Sequence, residues 1–205
     1  MIAIIDYGAG NLQSVENALA HIGCPCTVVS SAQELQKAQG AVLPGVGAFG
    51  EAMSALRARG LDQAIKDFVA SGRPFLGICL GLQLLFQSSE ESPCVQGLGL
   101  LKGHVLRLPA ESGLKIPHIG WNSLDIRRPG WLLAGLSPEP YLYFVHSYYL
   151  QAQEDVVSAT ASYGAEIHAA VEQDNLAACQ FHPEKSGSQG LCILKNFAQR
   201  VKDYN

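Results

Sequence analysis

Apolar positions follow two different periods in the first half of the chain. Ile2–Ile5 is a short apolar run typical of a buried parallel strand, and a glycine-rich stretch, residues 7–11, comes directly after it. The apolar positions that follow recur at helical spacing: Leu12, Val15, Leu19 and Ile22. The pattern therefore predicts a strand, a glycine turn and a helix at the start of the chain.

The same alternation continues to the middle of the sequence. Apolar runs at residues 27–29, 41–43 and 74–78 predict three more strands, and helical spacing predicts two helices within residues 49–69. Ser31, with Glu34 three residues later, predicts a capping box at the start of a short helix. Strands that alternate with helices predict a parallel sheet, with the functional site in the loops at the carboxyl ends of its strands.

The second half of the chain has a different pattern. Its segments are shorter, strand-like and separated by glycine and proline, at residues 105–108, 123–126, 141–145 and 157–163. A buried strand at 176–181 and a terminal helix follow. We therefore predict an α/β fold, a mostly parallel twisted sheet flanked by helices with additional antiparallel strands in the C-terminal half. No repeat or polar linker divides the sequence, which predicts a single domain over residues 1–205.

Composition and charge narrow the classes of partner. The chain has 205 residues, 48% of them hydrophobic, which is enough to bury a full core. The net charge is -4 and no basic stretch could follow a phosphate backbone, so nucleic acid is not an expected partner. The apolar start is too short for a membrane span and has no basic leader. We predict a cytoplasmic protein without a membrane partner.

The sequence gives no sign of a metal or a cofactor. Cys24 and Cys26 lack the two-residue spacer and the second ligand pair of a zinc site, so packing is the predicted role. Residues 8–10 lack the third glycine of a dinucleotide fingerprint, because Gln13 stands there. The same packing role is predicted for Cys94, Cys179 and Cys192. A structural or exposed position is predicted for His21, His104, His118 and His168.

Candidate chemistry centres on Cys79, in the sequence Gly-Ile-Cys-Leu-Gly at residues 77–81. This spacing between a strand and a helix has the form of a nucleophile elbow, where glycines permit a strained turn and a helix start favours a thiolate. The alternative is an inert buried cysteine in a strand-helix turn. His182 and Glu184 stand just past the last predicted strand. An imidazole oriented by a carboxylate is the base that a thiol nucleophile needs, although alone this triplet also fits a surface turn.

The combination of residues 77–83 with residues 182–184 resembles the class I (triad) glutamine amidotransferases, over nearly the whole chain. The resemblance implies that Cys79 attacks the side-chain carboxamide of L-glutamine and that His182, oriented by Glu184, protonates the departing ammonia. It implies an oxyanion hole formed by the N–H groups of Leu80 and Val46. Valine replaces the usual second glycine at position 46, and our hypothesis is that this half of the hole forms only when a partner or its ligand binds. The glutamine contacts implied by the resemblance are Gly47, Gln83, His146, Ser147 and Tyr148.

Four separated segments resemble one branch of that family, the glutaminase subunits of imidazole glycerol phosphate synthases in histidine biosynthesis. They are residues 4–12, 44–47, 118–122 and 143–148. Ile119 replaces the branch's usual methionine, a mild apolar change. The resemblance implies a heterodimer with a (β/α)8 barrel cyclase, which would receive the ammonia through its barrel. The implied interface residues are Gly10, Asn11, Trp121, Asn122, Tyr143 and Lys185. The residues alone leave Trp121 equally compatible with a core position and an interface anchor.

Other functions remain open at this point. The chain could be a glutaminase that serves another synthase, such as those that make anthranilate, aminodeoxychorismate or pyridoxal phosphate. It could also be a non-enzymatic binding module, or a thiol hydrolase of the related peptidase and chaperone group. Residues 44–47 and 120–122 favour the first branch, the intact Cys79, His182 and Glu184 disfavour a binding module, and Gln83 disfavours a peptidase.

Overall fold

The computed structural model of the chain describes residues 1–110, 113–128 and 130–204. In chain order the elements are β1 (Ile2–Ile5), α1 (Leu12–His21), β2 (Cys26–Val29), α2 (Ala32–Leu35), β3 (Gly40–Gly45), α3 (Phe49–Ala58), α4 (Leu61–Ala70), β4 (Phe75–Cys79), α5 (Leu80–Leu84), β5 (Ser88–Ser89), β6 (Gly103–Arg107), β7 (His118–Ser123), β8 (Asp125–Ile126), β9 (Tyr141–His146), β10 (Tyr148–Ala152), β11 (Val157–Ser162), β12 (Glu166–Gln173), β13 (Leu176–Cys179) and α6 (Gly187–Asp203). A 3-10 helix, Pro183–Lys185, precedes α6.

The main sheet of the described residues has eight strands in the order β2-β1-β3-β4-β13-β12-β11-β8. The strands β2, β1, β3, β4 and β13 are parallel. The last three strands extend the sheet in antiparallel pairings. The α/β prediction, with a parallel first half and antiparallel strands from the second half, is confirmed.

Apolar side chains pack on both faces of this sheet. Successive strand residues point to opposite faces, so Ile2 and Ile4 pack with α1 and α6, whereas Ala3 and Ile5 pack with α3 and α4. Burial on both faces explains why the parallel strands are continuous apolar runs in the sequence. Within the described ranges, no helix combines the length and the apolar character that crossing a membrane requires.

Local signals in the first half are confirmed closely. The capping box of α2 is present, with Glu34 N–H donating to Ser31 Oγ at 3.4 Å and Ser31 N–H donating to Glu34 Oε2 at 3.2 Å. The third strand extends two residues beyond the predicted end, through Gly45. The helix after the elbow is short, Leu80–Leu84, and begins directly after the cysteine.

One prediction about the second half was wrong. Residues 123–126 do not form one strand, because Leu124 separates β7 from β8. The segment 120–122, for which no strand was predicted, lies in β7, which pairs with β9 in a separate two-stranded sheet. The strands β5, β6 and β10 form a three-stranded sheet of their own. Buried positions alternate with exposed or half-buried ones along β9, and only His118 is buried along β7, so these strands lack the continuous apolar pattern of the core strands.

The predictions for isolated cysteines and histidines were mostly confirmed. Cys24 and Cys179 are buried in the core, but Cys94 is exposed because it lies in a turn between β5 and β6. Its predicted packing role was therefore wrong. His21 and His104 are exposed, His118 is buried, and His168 accepts a hydrogen bond from Ala152 N–H at 2.9 Å. The described residues contain no group of three or more histidine, cysteine or acidic side chains that could hold a metal ion.

Candidate active site

Cys79 occupies a strained turn at the carboxyl end of β4. Its φ of 55° and ψ of -108° lie outside the regions that residues other than glycine normally adopt. A Cβ at Gly81 would lie 1.9 Å from the carbonyl oxygen of Leu43, and a Cβ at Gly77 would lie 2.9 Å from that of Gly81. The backbones therefore approach too closely for any other residue at these positions. The geometry is that of the elbow predicted from the spacing.

His182 and Glu184 form a buried pair beside this elbow. His182 Nδ1 lies 2.8 Å from Glu184 Oε1, and the two side chains are 3% and 1% exposed. Glu184 lies in the 3-10 helix that begins directly after His182. The carboxylate is an acceptor, which places the Nδ1 proton on the ring and directs Nε2 away from Glu184.

The electrostatic surroundings of His182 favour its protonated form. Burial lowers the pKa of the ring, but the interactions with Cys79 and Glu184 outweigh burial and raise the pKa to about 9. Within the described ranges, Nε2 has no partner that meets the distance and angle limits of a hydrogen bond. The Cys79 sulfur is nevertheless close enough to act on the ring's charge. The arrangement allows a proton to pass between sulfur, imidazole and a reacting group.

Two backbone donors flank the cysteine. In the register between β3 and β4, Gly45 lies opposite Cys79, so Val46 follows at the mouth of the elbow. The N–H of Val46 donates no hydrogen bond to any group in the described part of the chain. Val46 and Leu80 both line the same cleft as Cys79. The Val46 N–H is therefore available as a donor to a negatively charged oxygen.

A cleft of about 280 Å³ opens in front of Cys79. The five residues predicted as glutamine contacts all line it: Gly47, Gln83, His146, Ser147 and Tyr148. Val145 and Glu91 complete the lining. The structure thus brings together residues from the loop after β3, from α5, and from the end of β9 to the start of β10 around the candidate nucleophile.

Glu91 was missed by the sequence analysis. Its carboxylate lines the cleft, and Oε2 accepts a hydrogen bond of 2.7 Å from the N–H of Phe49 at the start of α3. A negative charge in this position suits a cationic group on a ligand. No spacing signal marks it, because Glu91 stands in a polar turn that is far in sequence from the other cleft residues.

Gln180 was also missed, and it contacts the candidate nucleophile. Its Nε2 lies 3.6 Å from Cys79 Sγ, and its Oε1 accepts a hydrogen bond of 3.0 Å from Gln83 Nε2. Gln83 Nε2 also donates to the carbonyl oxygen of Tyr148 at 3.0 Å. A sequence signal did exist, since Gln180 is the one amide side chain in the otherwise apolar run at 176–181.

His146 belongs to a buried pair of neutral histidines behind the cleft. His146 Nδ1 lies 2.9 Å from the carbonyl oxygen of Tyr148, and its Nε2 lies 3.0 Å from His118 Nδ1. The ring of His118 stacks between Phe144 and Tyr163, with centroid distances of 4.9 Å and 3.9 Å. Burial lowers the pKa of His146 to about 3 and that of His118 to about 4. Both rings are therefore neutral at pH 7.

An apolar patch lies on β7 and β9, next to the 3-10 helix that carries Glu184. We define the β7–β9 patch by its most exposed members, Ile119, Trp121 and Tyr141, which are 61%, 55% and 57% exposed. The predicted interface residues Tyr143 and Lys185 lie beside it. Trp121 and Tyr143 have ring centroids 6.1 Å apart, and Lys185 Nζ lies 5.9 Å from the centre of the Tyr143 ring. The core position considered for Trp121 is wrong.

The other predicted interface residues are not among the exposed aromatic and aliphatic side chains that define the β7–β9 patch. Asn11 lines a small cavity behind the triad together with Val46 and Glu184, and Gly10 approaches the carbonyl oxygen of Pro44. The side-chain amide of Asn122, the residue after Trp121 on β7, donates through Nδ2 to the carbonyl oxygen of Ser162 at 3.0 Å.

Comparison with known proteins agrees with this geometry. Residues 3–201 match the family model "Glutamine amidotransferase class-I". The chain is 52% identical over 202 residues to imidazole glycerol phosphate synthase subunit HisH of Methanothermobacter thermautotrophicus, covering 98% of this chain and 100% of the relative. It is 50% identical to the subunit of the same name from Caldanaerobacter subterraneus subsp. tengcongensis, covering 98% and 99%.

Solved structures of distant sequence share the fold. A crystal structure described as a glutamine amidotransferase superimposes with a TM-score of 0.77 at 18% identity, covering 98% of this chain and 100% of that one. The structure of PurLQS from Thermotoga maritima gives a TM-score of 0.76 at 20% identity, covering 97% of each chain.

Proposed function

Since the chain belongs to the class I glutamine amidotransferases, we propose that it is the glutaminase subunit of an imidazole glycerol phosphate synthase. It hydrolyses L-glutamine to glutamate and ammonia for histidine biosynthesis. The observation that carries the proposal is the meeting of Cys79, on its strained elbow, with the buried pair of His182 and Glu184 at one edge of the sheet. The full-length similarity to two HisH subunits supports the choice of synthase.

The proposed reaction proceeds through a thioester. The Cys79 sulfur attacks the side-chain carboxamide carbon of glutamine, and the carbonyl oxygen becomes an oxyanion. When the C–N bond breaks, the nitrogen leaves as ammonia with a proton from His182 Nε2. A water molecule then gives a proton to the imidazole and attacks the thioester, which releases glutamate and regenerates the thiolate and the imidazolium. Glu184 keeps the ring oriented and stabilises its cation.

The oxyanion is stabilised by the N–H groups of Leu80 and Val46, and the Val46 N–H makes no other hydrogen bond in the described part of the chain. Gly45 permits the peptide bond before Val46 to rotate. A rotation driven by the partner or its ligand would complete the hole, so the rate of glutamine hydrolysis depends on the complex. This dependence is part of the proposal.

The cleft residues suggest how glutamine is held. The side-chain amino group of Gln83 donates to the carbonyl oxygen of Tyr148 and to Gln180 Oε1, which leaves Gln83 Oε1 to accept a hydrogen bond from the substrate. The carboxylate of Glu91 provides a counter-ion for the α-ammonium group. Gly47, Ser147, Tyr148 and the neutral His146 line the remaining wall. Replacement of Glu91 by glutamine should therefore raise KM much more than it lowers kcat.

We propose that the partner is a (β/α)8 barrel cyclase and that it binds the β7–β9 patch, in a cytoplasmic heterodimer. Exposed aromatic side chains beside a lysine are typical of interface anchors. Gly10, Asn11 and Asn122 complete the proposed contact region, and residues 1–205 act as one glutaminase domain. Ammonia released at Cys79 would pass to the barrel, where it is added to a phosphorylated ribulosyl formimino nucleotide.

The proposal is tested by measuring glutamate release from glutamine in three mixtures: the chain alone, the chain with the barrel cyclase, and both with the nucleotide ligand of the cyclase. We expect strong stimulation only when the cyclase is present. Stimulation by an anthranilate or aminodeoxychorismate synthase, without stimulation by the cyclase, would assign the chain to another synthase. Full activity of the isolated chain would contradict the partner-dependent oxyanion hole.

A further inference from the structure

The candidate nucleophile has two further polar neighbours besides His182: the carbonyl oxygen of Val145, 3.9 Å from Cys79 Sγ, and the side chain of Gln180. Gln180 is completely buried at the end of β13, and its Nε2 lies 3.6 Å from Cys79 Sγ. We propose that Gln180 is a further catalytic residue, whose amide N–H donates a hydrogen bond to the Cys79 sulfur and favours the thiolate. The inference rests on the proposed function of Cys79 and adds a residue to it.

The direction of this hydrogen bond is fixed by the surrounding groups. A glutamine amide can turn by 180°, which would place its oxygen against the sulfur. The carbonyl oxygen of Tyr148 can only accept, so the group that Gln83 directs at it must be the amino group. The same amino group donates to Gln180 Oε1. The amino group of Gln180 is therefore left to face the sulfur.

The Tyr148 carbonyl also fixes the orientation of the groups on its other side. His146 must donate to it through Nδ1, so His146 Nε2 accepts from His118 Nδ1. His118 Nε2 in turn lies 3.4 Å from the amide nitrogen of Asn122. In this series of hydrogen bonds, the donors of Asn122, His118 and His146 all point toward the Tyr148 carbonyl. Reversing the Gln180 amide would set its amino group against the amino group of Gln83, and reversing Gln83 as well would set the Gln83 oxygen against the Tyr148 carbonyl oxygen.

Burial strengthens the hydrogen bond from Gln180 to the Cys79 sulfur. Gln180 is 0% exposed and Cys79 is 6% exposed, so water competes little for the donor or for the sulfur. A hydrogen bond to a charged acceptor is stronger than one to a neutral acceptor, so the donor stabilises the thiolate more than the thiol. His182 supplies positive charge to the sulfur from one side, and Gln180 supplies a neutral donor that does not depend on pH.

The test replaces Gln180 by methionine, which has similar length and no donor. The pH dependence of iodoacetamide alkylation at Cys79 is followed by mass spectrometry of the peptide that contains this residue. We expect the midpoint of alkylation to rise by about one pH unit, which makes alkylation about tenfold slower below the midpoint. The other titratable groups near Cys79 are unchanged in the variant: Tyr7, His146, Cys179, His182 and Glu184.

Thr160→Val is the matched control, because it also removes a buried hydrogen-bonding group from the main sheet, at a distance from Cys79. Its alkylation midpoint should equal that of the unchanged chain. An unchanged midpoint in Gln180→Met would overturn the proposal and leave Gln180 a packing residue. Since alkylation requires no glutamine, a shifted midpoint in a complex that releases no glutamate would instead contradict the proposed function.

A second measurement needs no substitution at Gln180. In the Cys79→Ala variant the Gln180 amide loses its sulfur acceptor, so its side-chain ¹H and ¹⁵N resonances should shift. The exposed amide of Gln173 serves as the reference. Resonances of Gln180 that remain in place would also overturn the proposal. This experiment decides the question even if the methionine variant does not fold.

Discussion

At the scale of single residues, the candidate site depends on buried polar atoms whose partners are incomplete in the free chain. His182 Nε2 and Glu184 Oε2 have no hydrogen-bond partner among the described residues, and the same is true of the hydroxyl of Tyr7. The first atom is the one that the proposed reaction uses. Tyr7 differs, because its hydroxyl lies against Gly45 and burial raises its pKa, so it remains neutral.

Cys79→Ala should abolish glutamate release while synthesis from free ammonia by the complex continues, since the variant removes the nucleophile and leaves the partner intact. It should also lower the pKa of His182 below about 9, because the interactions with Cys79 raise it. Steady-state assays with glutamine or ammonium, and NMR titration of the His182 ring protons, measure the two effects. An equal loss of both activities would show that Cys79 is structural.

Tyr7→Phe should leave the free energy of unfolding unchanged or increase it by up to about 1 kcal/mol, because it removes a buried hydroxyl without a partner. Tyr163→Phe is the matched variant. There the hydroxyl donates to the carbonyl oxygen of Lys115 at 2.8 Å, and its loss should cost about 0.5–1.5 kcal/mol. Urea unfolding monitored by circular dichroism compares them. A marked loss of stability in Tyr7→Phe would mean that the hydroxyl has a partner in solution.

The sequence identified the site residues whose chemistry is tied to local spacing. Cys79 was found because glycines on both sides are needed for the strained turn, and His182 and Glu184 because they are neighbours in sequence. Gln180 and Glu91 were missed because their roles depend on contacts between segments that are distant in sequence. Gln180 follows β13 and contacts the sulfur at the end of the neighbouring strand β4, and Glu91 enters the cleft from the turn after β5. The local spacing of residues in the sequence does not indicate these contacts.

At the scale of elements, the histidine pair behind the cleft connects β7 to β9 and to the β9–β10 turn. His118 on β7 bonds to His146 at the end of β9, and His146 bonds to the first residue of β10. Stacking of His118 between Phe144 and Tyr163 excludes water from the pair. Two neutral rings therefore help to attach the two-stranded sheet of β7 and β9 to the cleft.

Acid should destabilise the protein through this pair. In the unfolded chain both histidines bind a proton near pH 6.5, whereas the folded values are about 4 for His118 and about 3 for His146. Between pH 6.5 and the folded-state pKa values, the unfolded chain binds more protons than the folded chain. The stability that the two neutral rings contribute above pH 6.5 is therefore lost as the pH falls through this range. Each ring contributes a slope of up to about 1.4 kcal/mol per pH unit.

His118→Gln should reduce that slope, because glutamine does not titrate and can still donate to His146. The measurement is the free energy of unfolding in urea at intervals between pH 7 and pH 5. His21→Gln is the control, because His21 is exposed on α1 and should leave the slope unchanged. If His118→Gln retained the full slope, His118 would not be a neutral buried ring in the folded protein.

Elements were predictable where burial produces a simple period. The parallel strands are buried on both faces, so β1, β3 and β4 were recognised as apolar runs. The strand His118–Ser123 was not predicted, because it contains a histidine, a glycine and an asparagine in place of a regular apolar pattern. Stacking and contacts with other strands stabilise it, and the local sequence pattern does not contain these tertiary contacts.

At the scale of the whole molecule, the candidate site and the β7–β9 patch lie close together. His182 N–H donates to the carbonyl oxygen of Tyr143 at 2.9 Å, and Ser186 Oγ accepts from Tyr143 N–H at 2.9 Å. The strand β9, which carries part of the patch, is therefore bonded directly to the segment that carries His182, the proposed catalytic base. Binding of a partner at the patch would act on the backbone next to His182.

Trp121→Ala should weaken binding of the barrel cyclase by about 30-fold or more, as expected for an aromatic anchor at the centre of an interface. Because Trp121 is 55% exposed in the free chain, its thermal midpoint should change little. Isothermal titration calorimetry and thermal unfolding measure the two properties. Val28→Ala, 38% exposed on β2, is the control and should not affect binding. Unchanged affinity in Trp121→Ala would place the interface elsewhere.

Three glycines on neighbouring elements, Gly45, Gly77 and Gly81, restrict how the elbow can evolve. A Cβ at Gly45 would lie 2.5 Å from the Tyr7 hydroxyl and 2.9 Å from Leu80 Cβ. At Gly77 and Gly81 the atom nearest to an added Cβ would be a backbone carbonyl oxygen. Every amino-acid replacement that a single nucleotide change can make in a glycine codon adds a Cβ. Mutational scans should therefore find these positions intolerant, while the surrounding apolar residues accept substitutions of similar size.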